Sequence, residues 1–144
     1  RERYLALKLL GRRLRYTVDL SRAACGCNVA FYLVSMHQTS QKSDCGDYYC
    51  DANEVCGVAC TEIDLQEGNR HAWHTTLHSS QDSNGLADGY GGGGANWTGP
   101  RSFTPNEYGP RGKCIDTNKP FEVVASFPAE PWGSLKAIEV VLAQ

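Results

Sequence analysis

Three acidic residues crowd the segment Glu62-Ile63-Asp64-Leu65-Gln66-Glu67. On a regular strand, side chains 62, 64 and 66 share one face and Glu67 points to the other. One extra residue in the strand, a β-bulge, would return Glu67 to the face of Glu62 and Asp64, and bulges are frequent beside active sites. Like charges gathered in one hollow raise the pKa of one member, which leaves a proton donor beside an ionised carboxylate. Such a pair can cleave a glycosidic bond: one carboxylate attacks the sugar and the other acid protonates the departing oxygen. In a retaining mechanism the two lie about 5–5.5 Å apart. The competing reading is a solvated acidic strand, since Glu-x-Asp-x-x-Glu arises readily by chance.

Other chemistry is less well supported. His71, His74 and His78 are close in sequence. On a strand His74 and His78 share a face and His71 does not, so no metal site is expected from them. The seven cysteines include no Cys-x-x-Cys pair, which argues against a zinc knuckle. No cofactor is expected. Cys25 or Cys27 acting as a nucleophile with His78 ranks last, because cysteines in a dense cluster are expected to be bridged. Trp73 reads as core; Trp97 and Trp132 fall in loops and are better placed to stack on a sugar ring. Asn96-Trp97-Thr98 is a glycosylation acceptor if the chain is secreted.

The elements that must position these residues are short strands. Leu14, Tyr16, Val18 and Leu20 alternate with Arg15, Thr17 and Asp19, the period of a half-buried strand. Residues 29–36 are β-branched and aromatic and read as a buried strand. Residues 58–65 read as the strand carrying the acids, with 72–78 as its hairpin mate. Residues 79–110, rich in Gly and Pro, read as a long irregular loop, and such loops are often functional. Strand-like sequence resumes at Cys114 and over 121–127. Residues 135–142 suit a last strand or a short helix, and 4–10 are equally ambiguous. Short strands, many turns and no long helical pattern predict an all-β sandwich or jelly roll, built as a single domain over 1–144.

Composition sets the surroundings. The net charge is -2, with 14 basic and 16 acidic residues, which gives no reason to expect nucleic acid or an anionic membrane as partner. The basic residues Arg1, Arg3, Lys8, Arg12, Arg13 and Arg15 do crowd the start of the chain. Six of the seven cysteines lie between positions 25 and 60, a density that fits secretion to the exterior or an oxidising organelle lumen. No run reaches the ~18–20 apolar residues that span a bilayer.

Taken together, the residues around the acids resemble glycoside hydrolase family 7. Val18-Asp19-Leu20-Ser21 and Cys25-Gly26-Cys27-Asn28-Val29-Ala30-Phe31-Tyr32-Leu33-Val34-Ser35-Met36 resemble the strand pair near that family's cleft. Tyr49-Cys50-Asp51, then Cys60-Thr61 leading into the acid string, then Tyr108-Gly109-Pro110 and Ile115-Asp116-Thr117-Asn118-Lys119 follow in the family's order. The acid string is shared with family 16, but the cysteine and tyrosine motifs favour family 7. The resemblance implies a concanavalin-like β-sandwich with a cellulose-binding groove and a retaining attack on β-1,4-glucan. It implies Glu62 as nucleophile, Glu67 as acid/base and Asp64 as the residue that holds the nucleophile. His78 would border the leaving-group side, Asn28 and Tyr32 would touch the sugar, and Asp51 would support the acids. Cys50 and Cys60 would pair by the same likeness, and Cys45 with Cys56 is a plausible neighbouring pair.

The chain is much shorter than the family's catalytic domains, with pruned loops and with Gly68 in place of the usual alanine after the acid/base. A retaining β-glucan hydrolase, or a fragment of one, is therefore the first expectation. A catalytically inert scaffold, contacting neighbouring subunits along open sheet edges, is the second. A carbohydrate-binding module is the third.

Overall fold

A computed structural model of the chain describes residues 4–36, 40–79, 90–91 and 102–144. The acceptor Asn96-Trp97-Thr98, and Arg1 and Arg3, lie outside the described residues. Among the described residues the named elements are strands: β1 (Arg13–Val18), β2 (Val29–Val34), β3 (Glu62–Gly68), β4 (Trp73–His78), β5 (Tyr90–Gly91), β6 (Tyr108–Gly109), β7 (Ile115–Asp116), β8 (Phe121–Ser126) and β9 (Glu139–Ala143). They form a three-stranded sheet in the order β1-β8-β9, a four-stranded sheet in the order β2-β3-β4-β5, and a two-stranded ribbon of β6 and β7.

The chain divides into two compact units. The first comprises Arg1–Ala6, Ala30–Gln66 and His74–Arg101; the second comprises Leu7–Val29, Glu67–Trp73 and Ser102–Gln144.

In the second unit the period-two pattern of the sequence becomes a sheet directly. β8 pairs antiparallel with both β1 and β9, placing Tyr16, Val123 and Leu142 in one row and Arg15, Val124 and Val141 in the next. Side chains alternate between sheet faces, so the first row points inward. Phe121, Val123 and Ala125 are buried along β8 while Glu122, Val124 and Ser126 are only partly covered. The inner face packs with Leu20, Trp73, Tyr108 and Ile115 into the core. Trp73 and Tyr108 both meet the Phe121 ring edge-on, at centroid distances of 5.7 and 5.9 Å, a favoured geometry for aromatic pairs. Each such buried side chain contributes about 1.5–3 kcal/mol. Tyr108 falls within the stretch expected to be irregular, yet its ring is core and its hydroxyl donates to the Asn69 carbonyl at 2.8 Å.

The first unit has a different interior. Among its described residues the buried set includes Glu62, Asp64, Gln66, Asp51, Thr76 and His78, beside Leu65, Val58 and Ala52. Two disulfides, Cys45–Cys56 and Cys50–Cys60, brace it. Both are the expected pairs. Cross-links of this kind support a small body whose apolar interior is limited.

Three expectations need correction. β2 was expected to be buried, but Val29 and Phe31 are 37% and 38% exposed. Among the described residues it has one strand neighbour, β3, so its composition reflects strand propensity more than burial. Cysteine density predicts a bridge at Cys27 and leaves the partner of Cys25 open, yet both are free and exposed. They flank Gly26 in a tight turn closed by Cys27 N–H to the Ala24 carbonyl, with Gly26 at φ 87°. The acid-bearing strand was expected over 58–65 but begins at Glu62. Residues 58–61 instead meet the 51–55 turn through an isolated bridge between Asp51 and Ala59.

Candidate active site

β3 carries the acids. Its residues Glu62, Asp64 and Gln66 are buried at 8%, 5% and 2% exposure. Burying two carboxylates costs several kcal/mol unless they are paired or hydrogen-bonded, and both are. Glu62 Oε2 accepts the Ala52 N–H at 2.8 Å. Asp64 Oδ2 lies 3.1 Å from His78 Nε2, on the neighbouring strand β4.

The loop that supplies Ala52 is itself fixed by a dense set of bonds. Asp51 N–H donates to the Val58 carbonyl, and Cys60 N–H donates to the Asp51 carbonyl. The Asp51 carboxylate accepts the Val55 N–H at 3.0 Å. The Cys50–Cys60 disulfide closes this loop two residues before Glu62. A strand that presents an acid is thus covalently tied to the turn that holds that acid.

Asp51 also reaches the aromatic side of the site. The hydroxyls of Tyr32 and Tyr49 are 2.9 Å apart. Burial pushes the Tyr49 hydroxyl well above the ordinary tyrosine range, and its hydrogen bonds to Tyr32 and to Asp51 push it further. Tyr49 is the residue to which sequence reasoning gave no role. Its place beside Cys50-Asp51 was the available signal.

Glu67 and Asn28 belong to the second unit. There Asn28 Nδ2 donates to Glu67 Oε1 at 3.0 Å. Asn69 fixes the same stretch by donating from Nδ2 to the Cys27 carbonyl at 2.9 Å. Gly68 has a local reason to be glycine: a methyl group there would come within 3.1 Å of the Ala72 carbonyl oxygen and 3.2 Å of the Trp73 ring.

Of the three histidines in this region, His78 is buried, whereas His71 and His74 are exposed. The residues expected to act together therefore fall into two groups: Glu62, Asp64, Asp51, Tyr32 and His78 in one unit, Glu67 and Asn28 in the other.

The sequence model of Glycosyl hydrolase family 7 matches residues 1–55. The chain is also 30% identical to Endoglucanase 1 of Pyricularia oryzae, across 99% of its own length. Over nearly its whole length the chain is similar to glycosyl hydrolase family 7. Solved structures agree on the β-sandwich fold. A Humicola insolens endocellulase EGI double mutant superposes with a TM-score of 0.69 at 24% identity, covering 98% of this chain. An endoglucanase I complexed with cellobiose superposes with a TM-score of 0.64 at 27% identity, covering 96% of this chain. The chain spans only about two fifths of those proteins: 41% of the Pyricularia enzyme, and 42% and 43% of the two structures.

Proposed function

We propose that this chain carries the acid machinery of a retaining β-1,4-glucan hydrolase. The observation that carries the reading is the pair of buried, individually hydrogen-bonded carboxylates on β3: Glu62 on the Ala52 amide and Asp64 on His78. A strand acid kept out of water and fixed by a backbone N–H is suited to nucleophilic attack, because its orientation is set before substrate arrives.

In this reading the Ala52 amide holds Oε2 of Glu62, and Oε1 attacks the anomeric carbon. The bond from that carbon to the glycosidic oxygen breaks, and Glu67 gives its proton to the departing oxygen. Water then attacks the glycosyl–Glu62 ester, with Glu67 taking the proton back, so the anomeric configuration is retained. Asp64 orients Glu62, with His78 fixing Asp64. Asn28, bonded to Glu67, positions the acid/base. Asp51 and Tyr32 contact or support the sugar-facing surface. The substrate class is β-glucan, the class named by the cellobiose bound in the related endoglucanase I. The two disulfides fit work outside the cell.

The test is release of reducing ends from a soluble cello-oligosaccharide by the purified chain, with the anomer of the first product followed by NMR. A 2-fluoro glycoside should add its glycosyl mass to the peptide containing Glu62. No sugar release at any pH from acid to neutral, together with no labelling, would refute the assignment.

A further inference from the structure

The two tryptophans among the described residues lead opposite lives. Trp73 is 6% exposed in the aromatic core, and Trp132 is 77% exposed. An indole left in water forgoes the burial that stabilises most tryptophans. Trp132 nevertheless sits on a hydrogen-bonded hairpin. Ala129 bridges Leu135, Lys136 N–H donates to the Pro128 carbonyl, and Glu130 N–H donates to the Ser134 carbonyl. Gly133 N–H closes the tip onto the Glu130 carbonyl at 2.8 Å. Pro131 follows Glu130 with its φ fixed by its ring, and Gly133 takes φ 86°, the left-handed conformation that ends such a turn. Residues 131–136 are all exposed. The backbone under the indole is therefore set in advance.

We infer that the Glu130–Gly133 turn is an auxiliary carbohydrate-binding site, taking one or two consecutive glucose units of a β-1,4-glucan on the face of Trp132. In such a chain the ring hydroxyls are equatorial, so each pyranose presents an apolar face of axial C–H groups. An indole matches that face in size and polarity. The hydroxyl groups at the ring edge need polar partners, and Glu130, Ser134 and Lys136 supply a carboxylate, a hydroxyl and an ammonium group within the same hairpin. Preorganisation favours the contact, since stacking immobilises one side chain with two rotatable bonds and no loop.

A neutral ligand fits the charge, because Glu130 and Lys136 cancel. A protein hot spot would call for a surrounding ring of water-excluding contacts, and a lipid surface would call for a basic cluster. The hairpin carries neither a ring of large apolar side chains nor more than one lysine. None of the acids of β3 belongs to this turn, so it would hold polysaccharide without cleaving it. The inference rests on the hydrolase reading only for the choice of polysaccharide.

The experiment measures adsorption of the full chain to microcrystalline cellulose for wild type, Trp132→Ala and Trp132→Tyr, with turnover of a soluble cello-oligosaccharide followed in parallel. Aromatic stacking of this order predicts about a three- to tenfold weaker adsorption for the alanine variant. The tyrosine variant should stay near wild type, and soluble turnover should be unchanged in both. The side chain is exposed, so circular dichroism should match across the three proteins. Wild-type adsorption retained by Trp132→Ala overturns the inference, as does a wild-type chain that does not adsorb. Preferential binding to neutral phosphatidylcholine vesicles, lost in Trp132→Ala, overturns it in favour of a membrane contact. Loss of adsorption in a chain with no turnover supports this turn while refuting the two-carboxylate mechanism, so the two failures are separable.

Discussion

Asp64 and His78 face each other across neighbouring strands, Oδ2 to Nε2 at 3.1 Å, with both side chains buried. Replacing His78 with alanine removes a hydrogen-bond partner from a buried carboxylate. A loss of about 1–3 kcal/mol is expected, read as a lower midpoint in urea unfolding. His78→Gln should recover part of it, since its amide N–H2 can still donate. Equal stability of the alanine variant and the wild type would mean that the pair contributes nothing to the fold.

Glu62 separates chemistry from structure. Glu62→Gln keeps an oxygen to accept the Ala52 N–H, so its thermal midpoint should stay close to wild type. Without a carboxylate to attack, turnover of a cello-oligosaccharide should fall by at least about 10²–10⁴-fold. Glu62→Ala should lose the same activity and a further ~1–3 kcal/mol, because the buried Ala52 N–H loses its acceptor.

The Cys50–Cys60 bridge spans a sequence separation of 10. Closing a loop of that length stabilises by about 2–3 kcal/mol in the chain-entropy account. The double variant Cys50→Ser, Cys60→Ser should unfold at correspondingly lower denaturant. It should also lose activity before it loses its fold, because the turn presenting Ala52 to Glu62 is freed. Identical denaturation curves for variant and wild type would show that the bridge is dispensable.

Alkaline pH tests three shielded phenols, Tyr108 buried and Tyr16 and Tyr49 half-buried. Burial raises the hydroxyl pKa of Tyr16 and Tyr108, and burial with bonds to Tyr32 and Asp51 raises that of Tyr49. Below about pH 10 these groups are protonated in both states and make no difference. Above it the unfolded chain releases protons that the folded chain keeps, so the unfolded state binds fewer and stability falls as pH rises. Denaturation midpoints should drop above about pH 10, and phenolate absorbance from these three tyrosines should develop only with unfolding. Full tyrosine ionisation in the folded protein would contradict the shielding of these hydroxyls.

Much of this was legible in the sequence where a local pattern fixes a global outcome. The alternation of Leu14, Tyr16 and Val18 with charged and polar neighbours specified β1, and the spacing of Phe121, Val123 and Ala125 specified β8. The acids and the Cys50–Cys60 pair stood in recognisable motifs, whereas Cys45–Cys56 was suggested only by proximity in sequence. Other features depend on distant residues. The exposure of Val29 and Phe31 goes with β2 having one strand neighbour among the described residues, which no property of residues 29–34 encodes. Tyr108 lies in a glycine- and proline-rich stretch, and only contact with Trp73 and Phe121 makes it core. The Ala52 amide has no side chain to advertise its bond to Glu62. Cys25 and Cys27 look like bridging residues by density alone, but a tight turn leaves both in solvent.

β1 and β9 each have a single strand neighbour, β8, among the described residues. Their outer backbone groups can accept another strand, and the two borders differ in what they offer. β1 carries Arg13 and Arg15, which repel a second copy of the same border, whereas β9 exposes 56% of Val141 and bears one charge, at Glu139. Aggregation of concentrated or warmed protein should therefore nucleate by strand addition at residues 139–143. Val141→Lys should lengthen the lag before turbidity without altering turnover, whereas an unchanged lag would place nucleation elsewhere.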